Sequence, residues 1–309
     1  MWLILAFLSA ALLGCYDSFK KQALKDNAVI PVLFLNTLFS SLIFLPFIVL
    51  SGTSDMLDGT VFHTASGGWD MHKYILLKAL IVLSSWILGY FGMKHLPLTI
   101  VGPINATRPV MVLVGALLFF GERLNIWQWV GVLLAVASFL LLSRSGKKEG
   151  IDFRHDHWIY MIVGAALLGA LSGLYDKYLM APVESGGVGL DRMMVQSWYN
   201  IYQCGMMALM LWLLWWPKHL QTTPFHWSWS ILGVSLFLST ADFMYFYSLS
   251  LPDAMISIVS MIRRGSVIVS FLFGAMFFHE KNLKAKAFDL ALVLLGMIFL
   301  YIGSVNCKP

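Results

Sequence analysis

The sequence predicts an all-α polytopic membrane protein with ten transmembrane helices in two inverted five-helix repeats. Three observations predict it. Hydrophobic residues make up 59% of the 309-residue chain and charged residues 12%, more apolar surface than a water-soluble domain of this length can bury. The apolar residues gather into ten runs of about 20 residues, each long enough to cross a hydrocarbon core of roughly 30 Å. A short motif occurs twice, as Gly14-Cys15-Tyr16-Asp17 and Gly173-Leu174-Tyr175-Asp176, each copy at the end of a long apolar run.

In chain order the runs lie near 1–21, 30–50, 74–94, 98–120, 125–143, 158–180, 193–216, 228–250, 254–278 and 284–304. The first is expected to stay in the mature protein. No basic residue precedes it, and its repeat partner at 158–180 lies mid-chain, where signal peptidase has no access. The motif match extends backwards, with Ala6, Ala10 and Gly14 over Ala165, Gly169 and Gly173. Between runs two and three, the loop Ser51–Lys73 carries glycines and several acids. Leu96-Pro97 precedes run four as Leu251-Pro252 precedes run nine. The two runs end in Phe119-Phe120-Gly121-Glu122 and Phe277-Phe278-His279-Glu280, and they superpose only with a gap. The charged stretch 144–157 divides a first repeat, 1–143, from a second, 158–304. Five spans per half is an odd number, so the second half must enter the bilayer from the opposite side. Inverted repeats of this kind recur in secondary transporters, with the substrate near the midplane between them.

Several function classes are excluded or disfavoured. The formal net charge of +5 is scattered through short loops and is not a nucleic-acid footprint. Cys15, Cys204 and Cys307 lack ligand or disulfide spacing, and His155 and His157 read as solvated linker residues. There is no phosphate-binding Gly-x-x-x-x-Gly-Lys loop, no His-Glu-x-x-His and no paired-cysteine motif. No cofactor, metal or enzyme activity is expected. The expected partners are a small-molecule solute and the lipid bilayer, and a homodimer is compatible with the pattern.

The two five-span halves, the small-residue helix running from Gly14 to Lys20, the Leu-Pro corners and the Glu-terminated runs together resemble the drug/metabolite transporter superfamily, specifically its ten-helix EamA-like group. The resemblance covers essentially the whole chain. It implies a central cavity lined mainly by spans one to four and six to nine, with spans five and ten peripheral. Tyr178-Leu179 stands where the second half would repeat Lys20, a departure from the family pattern. The resemblance implies cytoplasmic termini, whereas the loop tally favours termini outside, with basic residues concentrated after odd-numbered spans.

Charges inside the bilayer are expensive and mark functional candidates. Arg108 in run four, Asp242 in run eight and Arg263 and Arg264 in run nine lie nearest mid-span. With the Leu-Pro corners aligned, Arg108 falls on Arg263 and Asn105 on Ser260. An arginine cannot shed its proton, so it needs carboxylate, phosphate, carbonyl or water. One reading pairs these arginines with Asp242, Asp176 or Asp17 as a structural lock. The other uses their excess positive charge to bind an anion bidentately, similar to the way plastid sugar-phosphate translocators of the same superfamily hold phosphate. The expected substrate site is Arg108, Arg263, Arg264, Asn105, Ser260, Tyr90, Tyr245 and Asp242. Tyr16, Asp17, Tyr175 and Asp176, about one turn from their helix ends, are candidate gating or proton-coupling residues, or else interfacial ones. Trp86 and Tyr247 are further aromatic candidates, and Asn36 and Asn200 are candidates for substrate bonding or helix bridging.

The expected function is secondary transport of a small anionic or zwitterionic metabolite by alternating access, across a cell membrane and most readily a bacterial inner membrane. A cationic drug or polyamine exporter using Asp17, Asp176 and Asp242 is the alternative. A membrane enzyme acting on a lipid-linked substrate is the third reading.

Overall fold

The computed structural model describes residues 2–108, 110–111, 125–147, 154–180, 182–250, 259, 262–277 and 283–306. Ten α-helices are described: α1 Trp2–Leu24, α2 Val29–Thr53, α3 Trp69–His95, α4 Leu98–Ala106, α5 Ile126–Lys147, α6 His157–Met180, α7 Arg192–Met210, α8 Trp229–Ser250, α9 Ser266–Phe277 and α10 Leu283–Asn306. No strand occurs among the described residues. By length and composition α1, α2, α3, α6 and α8 are each able to cross a membrane. The protein is an all-helical, multi-pass membrane protein. Leu251-Pro252, Ser260, Glu122, Glu280 and Cys307 lie outside the described residues.

Side-chain bonds fix the helix directions. Ser9 bonds the carbonyl of Ala241 and Ser248 that of Trp2, so α1 and α8 run antiparallel. Ser85 to Ala165 and Lys78 to Asp176 make α3 and α6 antiparallel in the same way. Lys21 Nζ caps the C-terminal end of α3 through the carbonyls of Met93 and Leu96, at 2.7 and 2.6 Å, so α1 and α3 end together. It follows that α6 points opposite to α1, its counterpart by sequence. Helix pairing obeys the same exchange. Moving each helix five places along the chain turns α1–α8 into α6–α3, α1–α9 into α6–α4 and α2–α8 into α7–α3, while α2–α7, α4–α9 and α5–α10 map onto themselves.

Close packing needs small residues where backbones approach. A Cβ on Gly14 would lie 2.4 Å from Val269 Cβ on α9, and one on Gly92 would lie 2.4 Å from Ile162 on α6. Two apolar clusters flank the middle of the bundle. One, with Leu24, Met93, Leu96, Ile159 and Ile231, lies toward the C-terminal ends of α1 and α3. The other, with Ala6, Ile75, Leu179, Tyr245 and Phe246, lies toward their N-terminal ends.

Candidate functional site

Between those clusters lies a cavity of about 170 Å³, room for roughly a dozen waters or one small organic solute. Its wall is built by α1, α3, α4, α6, α8 and the start of α9, with Tyr199 from α7. Among the described residues α2 contributes no lining side chain, contrary to the expectation that spans one to four all do. Two arginine-bearing segments are interrupted beside their charges. Pro103 lies inside α4 and Thr107 forms a turn just before Arg108, while Gly265 forms a turn between Arg264 and α9. Proline withholds the amide that would continue the α4 ladder.

Five cationic side chains line the cavity, Lys20, Lys78, Arg108, Arg263 and Arg264, against three carboxylates, Asp17, Asp176 and Asp242. Arg263 pairs with Asp242 and lies over the Tyr245 ring, 4.2 Å from its centroid. Asp242 also accepts a 2.9 Å bond from the Tyr199 hydroxyl. Lys78 pairs with Asp176 across α3 and α6, with its ammonium 5.1 Å from the Tyr199 ring centroid and 5.6 Å from that of Phe246. Lys20 stays on its own helix: it lies 3.3 Å from Asp17 Oδ1 and over the rings of Tyr16 and Tyr90, 4.5 and 5.0 Å from their centroids. Asp17 accepts a second bond from Ser270 at 3.1 Å.

Arg108 and Arg264 differ from these. Among the described residues neither makes a hydrogen bond or an ion pair, and Arg108 Nε is buried without a partner, as is Asn105 Oδ1 one turn before it. The Arg108 guanidinium lies flat on α6 at Gly169, where an added Cβ would come 2.7 Å from Arg108 Cζ.

Of the residues expected from sequence, Arg108, Arg263, Arg264, Asn105, Tyr90, Tyr245, Asp242, Asp17, Asp176 and Tyr16 all line this one cavity, as does Trp86. Ser260 lies outside the described residues. The two aspartates were expected about one turn from their helix ends. Asp176 lies one turn from the end of α6, as expected, whereas α1 runs two turns past Asp17; the cavity receives both carboxylates. Tyr175, a gating or interfacial candidate, is not among the lining residues; it bonds the carbonyl of Tyr74 at 3.3 Å and packs against Tyr178. Tyr247 lies over Arg192 rather than in the cavity. Asn36 stays behind the wall, donating to Tyr90 Oη at 3.1 Å.

Among the lining residues not expected in the site from sequence, Lys20, Lys78 and Tyr199 are the ones that pair with its carboxylates. Lys20 reads as a loop residue because the apolar run stops at 21, yet it is only 8% exposed. Lys78 lies inside run three, near its start, and is 3% exposed. Tyr199 gives no signal beyond its place in an apolar run. A lysine inside such a run is the clue that finds the first two.

Comparison with known proteins bears on identity at this point. Residues 1–144 match the model of the EamA-like transporter family. A relative from Sinorhizobium sp., named an uncharacterized transporter in the cobO 3′ region, is 33% identical over 70 residues, which are 23% of this chain and 50% of that protein. The chain thus spans about half the length of the curated relative it matches. A solved crystal structure of a protein shares the fold, with a TM-score of 0.64 across 99% of this chain and 98% of that one at 12% identity. The similarity to the EamA-like transporter family, itself part of the drug/metabolite transporter superfamily, is thus carried by the N-terminal 144 of the 309 residues.

Proposed function

We propose that the protein is a secondary transporter that moves a small organic anion or zwitterion by alternating access around the central cavity. The charge balance of the wall carries this reading. Three carboxylates are each held by a lysine or arginine, which leaves Arg108 and Arg264 with no carboxylate partner among the described residues. Two guanidiniums facing a cavity inside a low-dielectric bundle favour an anionic partner over water alone. Their planar forks match carboxylate or phosphate. Asn105 adds an amide to the same wall, and the N-terminal turn of α9 contributes the end of a helix that favours negative charge. Tyr90, Tyr245 and Trp86 enclose the rest of the solute.

In this reading the halves rock against each other, and the two apolar clusters close the cavity toward either side in turn. We assign the protein to a bacterial inner membrane, in keeping with its bacterial relative. The cation-exporter reading has less support, because Asp17, Asp176 and Asp242 are all already engaged by cations.

Purified protein in proteoliposomes tests the proposal. A thermal-shift screen of carboxylates, phosphates and organic cations picks the solute, since a ligand that binds only the folded state raises the melting temperature. Arg108→Ala or Arg264→Ala should then weaken binding about 10- to 100-fold, the worth of a hydrogen bond to a charged group. Unchanged uptake of that solute by both variants overturns the anion site.

A further inference from the structure

Behind the cavity wall, α2 of the first half packs against α7 and α8 of the second along a buried polar seam. The α7 face is a helical stripe, Gln196, Asn200 and Gln203, at spacings of four and three residues. The facing helices carry Asn36 and Ser40 on α2 and Ser239 on α8. All six are buried; Asn36, Gln196 and Gln203 are 0% exposed. Part of the seam is satisfied internally. Ser239 bonds Ser40 at 3.2 Å, Gln196 Nε2 reaches the Ser239 carbonyl at 3.4 Å, and Asn200 Nδ2 bonds the Gln196 carbonyl at 2.8 Å.

The remainder is not. Among the described residues, Asn36 Oδ1, Gln196 Oε1, Gln203 Oε1 and Gln203 Nε2 are buried without a hydrogen-bond partner. One unpaired buried amide atom is tolerable, but four along one seam call for a ligand. None of these residues lines the cavity, so the solute cannot supply it. The chemistry of the unpaired set selects the ligand. Three are acceptors and one is a donor, and the unpaired donor sits on the same carboxamide as one of the acceptors. A bound cation would serve the oxygens but repel the Gln203 amide hydrogens, and none of the seam residues named is a carboxylate that would balance its charge. A ligand that both donates and accepts serves all four.

We propose that this seam is an internal hydration site, in which Asn36, Gln196 and Gln203 hold ordered water between the two halves. Such waters typically make about three hydrogen bonds to otherwise unpaired buried groups. The seam meets the cavity wall at two points, Asn36 on Tyr90 and, one turn along α7 from Gln203, Tyr199 on Asp242. The water therefore backs two side chains of the solute site without belonging to it.

Hydroxyl-radical footprinting of the intact protein in H₂¹⁸O tests the site directly, because radicals formed from trapped water label nearby sulfurs even when bulk solvent is excluded. Met207, one turn beyond Gln203 on α7 and 0% exposed, is the reporter. Met93 in the cavity wall is the wet control and Met297, buried on α10, the dry one. Met207 should take up ¹⁸O at a rate comparable to Met93 and several-fold faster than Met297. In Gln203→Leu its labelling should fall to the Met297 level while Met93 is unchanged. Labelling of wild-type Met207 no faster than Met297 overturns the proposal, and so does undiminished labelling in a folded Gln203→Leu protein. The wild-type comparison decides the matter alone if the variant fails to fold, and it is independent of whether any solute is transported.

Discussion

The two copies of the repeated motif hold identical chemistry in different surroundings. In the first copy, Gly14 is pressed against α9, Tyr16 lines the cavity, and Asp17 is met by Lys20 from its own helix and by Ser270. In the second, a Cβ added to Gly173 would meet no neighbour within 4 Å, Tyr175 turns away from the cavity, and Asp176 is held from another helix by Lys78. Both copies share Gly, Tyr and Asp, with Cys15 against Leu174 between them, and the packing gives the shared residues different tasks. One aspartate takes its cation from its own helix and only a hydroxyl, that of Ser270 on α9, from the other half. The other ties α6 to α3, and so one half to the other.

The largest effect should separate the two aspartates. Lys78→Met leaves Asp176 as an uncompensated buried charge and should destabilise the protein by about 3–5 kcal/mol, with most of the loss recovered in the Lys78→Met, Asp176→Asn double variant. Asp17→Asn should cost clearly less, because Lys20 keeps the Tyr16 and Tyr90 rings and the amide still accepts from Ser270. Equal losses by thermal denaturation in one lipid mixture would erase the distinction. Next comes the glycine. Gly14→Ala places a methyl within 2.4 Å of Val269 Cβ and 2.9 Å of the Ser266 carbonyl and should cost about 1–3 kcal/mol by overpacking. Gly173→Ala meets open space and should be neutral or stabilising by up to about 1 kcal/mol through helix propensity. The smallest difference belongs to the tyrosines. Tyr16→Phe removes the hydroxyl that Lys20 approaches at 3.3 Å and should alter solute affinity. Tyr175→Phe should leave affinity unchanged, measured by ligand-induced thermal shift.

Much of this was legible in the residues. Hydropathy located the described helices, because a bilayer penalises every misplaced charge, and for the same reason Arg108, Arg263, Arg264 and Asp242 stood out as candidates, which the fold gathers around one cavity. The pairing of those charges was not legible. Which cation meets which carboxylate depends on how α3 and α6 cross and on where Tyr199 lies, and these are long-range facts that no spacing encodes. Helix ends were misjudged where lysines extend the last turns. Lys20 looked like a loop residue because its charge ended the apolar run, although its stem and ammonium are enclosed by aromatic rings. The polar face of α7 likewise lowered that helix's apolarity, since hydropathy does not distinguish a polar face turned to water from one turned inward.

The seating of Arg108 on the bare backbone of α6 reaches beyond binding. A side chain at position 169 would meet the guanidinium, the movable end of a flexible side chain, and so would push that charge to a new place in the cavity rather than break the packing. Should 108 shrink, the gap at 169 becomes tolerant of alanine or serine, and the cavity loses one fixed positive charge in the same event. The two positions are therefore coupled: the residue at 169 sets where the charge of Arg108 stands, and the residue at 108 sets how much room position 169 has.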